Sequence, residues 1–234
     1  IGKIETTLIR DLKKEYPQIE VYEDDSAADV LETIFEECNQ ERFVFVLDEW
    51  DFIFHKDFVT EENKKQYVLF LSNLLKDRSY VQLTYMTGIL PIAKYSSGSE
   101  LNMFWEYTMA SKAKYNEYFG FTDSEVDQLY EKYTRNTREI YISREDLKEW
   151  YDGYRFGNAG IYCPWDVIYY VNDLVESSKA KPKAYWINSS GNDLLKRFIN
   201  RADATTKDEI EQLIAGDAVE KQIRLDLTYD EIDN

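Results

Sequence analysis

The stretch FVFVLDEWD, residues 43–51, decides the fold class that this sequence predicts. Its first five residues, 43–47, are all apolar, and Asp48, Glu49 and Asp51 follow at once. An apolar run of this length without alternation predicts a β-strand buried on both faces, as in a parallel sheet with helices on both sides. The three carboxylates then mark the point where the chain leaves the sheet.

A second strand is predicted at YVQLTYMTG, residues 80–88, with an amphipathic helix between the two strands. Thr60 is a typical N-cap residue for the start of that helix. Strand, helix and strand in this order form one β-α-β unit with parallel strands and a right-handed crossover. Because ligands of open parallel sheets bind beyond the carboxyl ends of the strands, we expect Asp48, Glu49 and Thr87 at a shared site.

The chain changes character after about residue 110, from strands with a crossover to short helices with capping residues. We therefore predict an α/β protein with a parallel-sheet core in residues 1–110 and a mainly helical subdomain, lid-like or winged-helix-like, in residues 111–234. Within the second part, capping-box helix starts are predicted at Thr122, Ser143 and Thr206, and Pro164 is placed at a first helical position.

Composition argues against three classes of function: nucleic-acid binding, zinc binding and membrane insertion. The 234 residues carry 45 acidic and 28 basic side chains, for a net charge of -17. This charge repels phosphate backbones, so direct nucleic-acid binding is not expected. Two cysteines and one histidine do not make a zinc site, and no apolar stretch is long enough to span a bilayer. We expect a cytoplasmic location and no membrane partner.

The acid pair after the first strand has two interpretations. A nucleoside triphosphatase uses such a pair: Asp48 holds Mg²⁺, Glu49 orients the attacking water and Thr87 senses the γ-phosphate. Acidic residues also follow strands as solvated turn residues, and the pattern alone leaves both interpretations open. No G-x-x-x-x-G-K-[ST] phosphate-binding run occurs in the 234 residues. Such a loop, if the protein has one, is expected upstream of Ile1.

Seven segments, in order from Phe43 to about Asp193, resemble the bacterial AAA-ATPase-like family. Members are predicted P-loop ATPases, often joined at the C-terminus to a restriction-endonuclease-like nuclease domain. The resemblance implies a P-loop NTPase-like core that is truncated at its N-terminus, so that the chain is an internal fragment without the Walker A loop. The segments are FVFVLDEWDFIFHKDF, LSNLL, YMTGILPIAKYSSGSELNMF, YFGFTDSEV, WYDGYRFG, IYCPWDVI and YWINSSGNDLL.

The resemblance also implies roles for individual residues. Asp48 and Glu49 match the Walker B acids, with Asp48 as the Mg²⁺ and nucleotide ligand and Glu49 as the catalytic acid. Thr87 matches the sensor position, which implies both a catalytic and a nucleotide-binding role. Asp51 is the extra acid that often follows the Walker B pair. Lys94 lies just beyond the sensor, where a solvated loop lysine is the simpler interpretation. ATP and Mg²⁺ are the implied cofactors, although the fragment alone is not expected to bind ATP tightly.

Two functions remain open at this stage. The first is an ATPase module whose nucleotide cycle switches conformation. The second is a non-catalytic protein-binding module on a degenerate nucleotide-binding fold, favoured by the net charge of -17 and the 19 tyrosines and 5 tryptophans. Its partner would be another protein or an attached nuclease domain. The WYDGY signature fits a structural role, with a tight turn at Asp152–Gly153 and its aromatic side chains in a core.

Overall fold

A computed structural model gives the structure of an α/β protein. Backbone contacts divide the chain into two compact units, one from Ile1 to Glu106 and one that begins at Tyr107. The structure describes residues 1–56, 58–89, 101–108, 114–135, 143–188 and 199–221. The helices are α1 (Gly2–Glu15), α2 (Ala27–Glu37), α3 (Glu61–Leu75), α4 (Asp123–Thr134), α5 (Arg144–Tyr151), α6 (Pro164–Glu176) and α7 (Ala204–Ala215), and the strands are β1 (Phe43–Leu47), β2 (Val81–Met86), β3 (Asp152–Phe156) and β4 (Ala159–Tyr162).

The helices of both units begin at residues that satisfy their first N–H groups. Thr60 caps α3, and the capping boxes predicted at Thr122 and Ser143 are present at α4 and α5. Pro164 is the first residue of α6, as predicted. At α7 the prediction is wrong: the helix begins one turn earlier, because the Asp203 carboxylate accepts the N–H of Thr206 and places that threonine inside the first turn.

The first unit contains the predicted β-α-β arrangement. β1 and β2 are paired in parallel, with Val44 opposite Leu83 and Val46 opposite Tyr85. One face of this pair packs on apolar side chains of α1, α2 and α3. The residues of that hydrophobic core include Leu12, Leu31, Ile34, Leu71 and Leu74, with Phe43, Phe45 and Leu47 of β1 packed against them.

The prediction that β1 is buried on both faces is wrong. Val44 is 59% exposed and Val46 is 70% exposed, and Leu83 and Tyr85 beside them are exposed as well. Within the described ranges this sheet has two strands, and helices pack on one of its faces. An uninterrupted apolar run makes a strand suited to burial on both sides, but the neighbours that would cover each face are not encoded in the run itself.

The exposure of Val46 gives a direct test of this arrangement. Val46→Ala removes little buried surface, so it should change the free energy of unfolding by about 0.5 kcal/mol or less. Leu71 is 1% exposed in the core, and Leu71→Ala should cost about 2–5 kcal/mol through the cavity that it leaves. Denaturant unfolding of both variants makes the comparison. Similar losses for the two would mean that the outer face of the sheet is covered in solution.

In the second unit, the WYDGY signature does not form the predicted turn at Asp152–Gly153. These residues begin β3, which pairs with β4 in an antiparallel hairpin. The turn lies at Gly157, whose φ of 58° is in the left-handed region that glycine adopts without steric cost. Tyr151 is buried, whereas Trp150 and Tyr154 are exposed. The core assignment of the aromatic side chains therefore holds for Tyr151 alone among these three.

A cluster of charged side chains joins α4, α5 and β4 in the second unit. The Arg144 guanidinium donates to Asp127 at 2.6 Å and to Asp123 at 3.0 Å. The Tyr162 hydroxyl donates to Asp123 at 2.6 Å, and the Lys148 ammonium donates to it at 3.0 Å. Hydrogen bonds from Tyr162 and Lys148 lower the pKa of Asp123 to about 2.

This shift makes the stability of the second unit depend on pH. The folded pKa of Asp123 lies below its ordinary value, so the carboxylate adds stability that is fully present above about pH 4 and is lost as the pH falls towards 2. Asp123→Asn should therefore be less stable than wild type at neutral pH, and the difference should disappear near pH 2. Thermal melts across this range measure it, with Glu149→Gln on the exposed side of α5 as the control. A gap that persists at pH 2 would contradict the assignment.

Candidate functional site

The carboxyl ends of β1 and β2 lie side by side, and backbone hydrogen bonds continue beyond the paired strands. The Thr87 N–H donates to the Leu47 carbonyl at 2.9 Å, and the Trp50 N–H donates to the Thr87 carbonyl at 2.9 Å. These bonds hold the loop that follows β1 against the first residue after β2. The acidic loop and Thr87 therefore share one edge of the sheet, as the sequence predicts.

The Thr87 hydroxyl connects the two predicted acids. It accepts the backbone N–H of Glu49 at 3.0 Å and donates to Oδ1 of Asp48. Glu49 has a φ of 49°, a left-handed conformation that is unfavourable for a residue with a Cβ. Its hydrogen bond to Thr87 helps to hold this conformation. The structure thus brings together Asp48, Glu49 and Thr87, the residues named from the sequence.

Burial separates the carboxylates into two kinds. Asp48 and Glu49 are exposed and can be reached by a ligand in water. Asp51 is 1% exposed, and its Oδ2 accepts the backbone N–H of Ile89 at 2.7 Å. Burial of the Tyr67 phenol raises the pKa of Tyr67, and the nearby charge of Asp51 raises it further.

Trp50 and Gly88 bring the two loops into close contact, and neither was singled out from the sequence. Trp50 is buried and packs edge-on against Phe54, with ring centroids 5.5 Å apart. A Cβ at Gly88 would lie 2.5 Å from Trp50 Nε1 and 3.0 Å from Asp51 Cγ. A side chain at position 88 would therefore displace the loop. The glycine directly after Thr87 was the available sequence signal, but the side chains that it contacts, Trp50 and Asp51, lie in the other loop and far from it in sequence.

The donor set at this edge fits Mg²⁺ that is bound together with a nucleotide. Mg²⁺ usually keeps several waters and takes one or two protein carboxylates plus phosphate oxygens, so Asp48 alone is a sufficient protein ligand. In the part of the chain that the structure describes, no group of three or more His, Cys, Asp or Glu side chains is placed to hold a metal ion. Lys94, the lysine just beyond the predicted sensor position, lies outside the described residues.

A separate cavity of about 520 Å³ lies in the same unit, next to α1, α2 and α3. Glu5, Ser26, Phe70 and Arg78 contribute to its lining, together with other residues of these helices and the loop after α3. Asp48, Glu49 and Thr87 are not among its lining residues. The strand-end site is therefore not part of this cavity.

Comparisons with known proteins give no information on the chemistry of the site. No family model, no curated protein and no solved structure matches the chain. The parallel strand pair, the exposed acid pair and Thr87 are thus the observations from which a function is inferred. In the described ranges, no helix has both the length and the apolar character needed to cross a membrane.

The link through Thr87 can be tested by two substitutions. Thr87→Val keeps the branched shape but removes the hydroxyl, so the Glu49 N–H loses its acceptor and should exchange with solvent about tenfold faster. Thr87→Ser keeps the hydroxyl and should leave this exchange rate close to that of wild type. Hydrogen exchange at the Glu49 amide, followed by NMR, measures both. Equal rates in Thr87→Val and wild type would show that the hydroxyl does not hold the acidic loop.

Proposed function

We propose that this chain is part of a bacterial AAA-ATPase-like protein that binds and hydrolyses ATP with Mg²⁺ in order to switch conformation. The observation that carries the proposal is the position of Asp48, Glu49 and Thr87 at the adjacent carboxyl ends of two parallel strands. Ligands of open parallel sheets bind at this edge. An exposed Asp–Glu pair with a neighbouring hydroxyl supplies the side chains that phosphoryl transfer uses to hold Mg²⁺ and to orient water.

Asp48 is the residue that we assign to Mg²⁺. Its Oδ1 accepts the Thr87 hydroxyl, which fixes the orientation of the carboxylate, and Oδ2 is the oxygen assigned to the ion or to one of its waters. Mg²⁺, when bound, neutralises charge on the phosphate oxygens. A carboxylate held in place by a neighbouring hydroxyl needs less reorganisation when the ion arrives.

Glu49 is the residue that we assign to the attacking water. Its carboxylate is exposed, and its backbone is held by the bond to Thr87. The Thr87 hydroxyl in turn donates a hydrogen bond to Asp48. As a phosphate sensor, Thr87 would have to redirect this hydrogen bond to the phosphate when nucleotide is present. This exchange of partners would connect the state of the nucleotide to both acids.

The phosphate-binding loop of this ATPase is assigned to residues outside the 234. The chain contains no G-x-x-x-x-G-K-[ST] run, and a P-loop supplies most of the N–H groups and the lysine that hold the phosphates. The exposed outer face of the sheet, at Val44, Val46, Leu83 and Tyr85, supports a core that is completed by further structure. Parallel sheets are normally covered on both faces.

The same exposed face also favours a second candidate function. Four neighbouring apolar side chains in water are typical of a surface that binds another protein. The chain would then be a non-catalytic protein-binding module on a degenerate nucleotide-binding fold, with a protein or an attached nuclease domain as its partner. Exposed Trp105 and Trp150 suit such a role, because tryptophan is enriched at protein interfaces.

Two substitutions in the full-length protein test the proposed ATPase. Asp48→Asn removes a charge that holds the ion and should weaken Mg²⁺-dependent ATP binding. Glu49→Gln should leave binding largely intact and lower kcat by about 10²–10⁴-fold, the usual contribution of a general base. Isothermal titration with Mg-ATP and steady-state hydrolysis rates separate the two effects.

The control variant is Glu36→Gln, an exposed acid on α2 that should change neither binding nor hydrolysis. The 234-residue chain by itself should show no low-micromolar binding of Mg-ATP, since the proposal places the phosphate-binding loop elsewhere. Wild-type hydrolysis by both acid variants would remove the ATPase proposal. Absence of hydrolysis by the full-length wild type would favour the protein-binding module.

A further inference from the structure

Asp51 is a buried carboxylate beside the exposed acid pair, and the proposed reaction gives it no part. It is 1% exposed, and it accepts the Ile89 N–H at 2.7 Å. A buried carboxylate is unfavourable unless its oxygens accept hydrogen bonds, and bonds from N–H groups to a charged oxygen are among the stronger ones. Asp51 therefore provides a strong acceptor for the backbone two residues after Thr87.

The bond from Ile89 to Asp51 is one of several that join the loops after β1 and β2. Glu49 donates to the Thr87 hydroxyl, and Trp50 donates to the Thr87 carbonyl. The Asp51 bond lies on the far side of Gly88 from these two. A glycine has more backbone freedom than any other residue, so anchors on both of its sides are what restrict it.

The Gly88 backbone packs tightly against the side chains of Trp50 and Asp51. The space where a Cβ would lie is occupied by the Trp50 indole, at 2.5 Å, and by the Asp51 carboxyl carbon, at 3.0 Å. The backbone at Gly88 is thus held against these two side chains. Movement of Gly88 would carry Thr87 with it and change the bond between the Thr87 hydroxyl and Asp48.

We propose that Asp51 is a positioning residue: it anchors the Gly88–Ile89 backbone and thereby fixes the Thr87 hydroxyl that links Asp48 and Glu49. Asp51 is buried, so it contacts neither nucleotide nor ion. Its effect on turnover rests on the proposed ATPase function, whereas its effect on the backbone does not. Loss of the anchor should lower kcat by a larger factor than it raises the KM for ATP, because Glu49 acts in the transition state, whereas Asp48 keeps its charge and the phosphate-binding loop holds most of the nucleotide.

Hydrogen exchange on the full-length protein tests the anchor without any nucleotide. In Asp51→Ala, the amides of Ile89 and Glu49 should exchange about tenfold faster than in wild type. Asp51→Asn keeps an acceptor of the same shape but without charge, so its rates should lie between those of wild type and Asp51→Ala. If Asp51→Ala does not fold, the comparison of Asp51→Asn with wild type decides the matter. Unchanged exchange at Ile89 would overturn the proposal, whatever the ATPase assays show.

Hydrolysis kinetics of the same variants test the positioning role. The number of ATP molecules bound per protein should stay at the wild-type value while kcat falls by about tenfold to hundredfold. Leu71→Ala is the control for general destabilisation, since it weakens the core of the same unit and should leave kcat per bound nucleotide unchanged. Faster exchange at Ile89 with unchanged kcat per bound nucleotide would reduce Asp51 to a structural residue and overturn the positioning role. Absence of hydrolysis by wild type would remove the proposed function and leave the exchange test standing.

Discussion

The parallel pairing of β1 with β2 is the constraint on which the candidate site depends. Parallel strands require a crossover, which α3 supplies, and the crossover brings the carboxyl ends of both strands to one edge. Asp48 and Thr87 are 39 residues apart in sequence and become hydrogen-bonded neighbours there. The site is therefore a product of strand pairing, and no short segment of the chain could form it alone.

Three carboxylates within four residues receive different environments from this pairing. Asp48 and Glu49 stand in solvent, where an ion, a water or a phosphate can reach them, whereas Asp51 is enclosed and hydrogen-bonded to the opposite loop. The difference follows from burial, because an enclosed carboxylate needs protein donors and an exposed one is satisfied by water. The loop thus offers reactive groups outside and an anchor inside.

The exposed face of the sheet is compatible with both the proposed ATPase and the alternative protein-binding module. Val44 and Val46 present apolar surface that a complete parallel sheet would cover with helices. Coverage by the rest of an ATPase core and coverage by a separate protein both remove this surface from water. The exposed acid pair at the adjacent edge is what favours the ATPase, since a binding surface alone gives no reason for a hydroxyl that orients a carboxylate.

Sequence by itself determined the features that depend on near neighbours along the chain. The caps at Thr60, Thr122 and Ser143 need only a side chain and an N–H three residues on, and the apolar runs specify the strands and hence the edge where Asp48, Glu49 and Thr87 meet. Tertiary structure alone decided that one face of β1 is exposed, that Asp51 is buried and that Trp50 approaches Gly88. These features depend on contacts between residues far apart in sequence. An apolar run or an acidic loop does not specify which distant residues will pack against it.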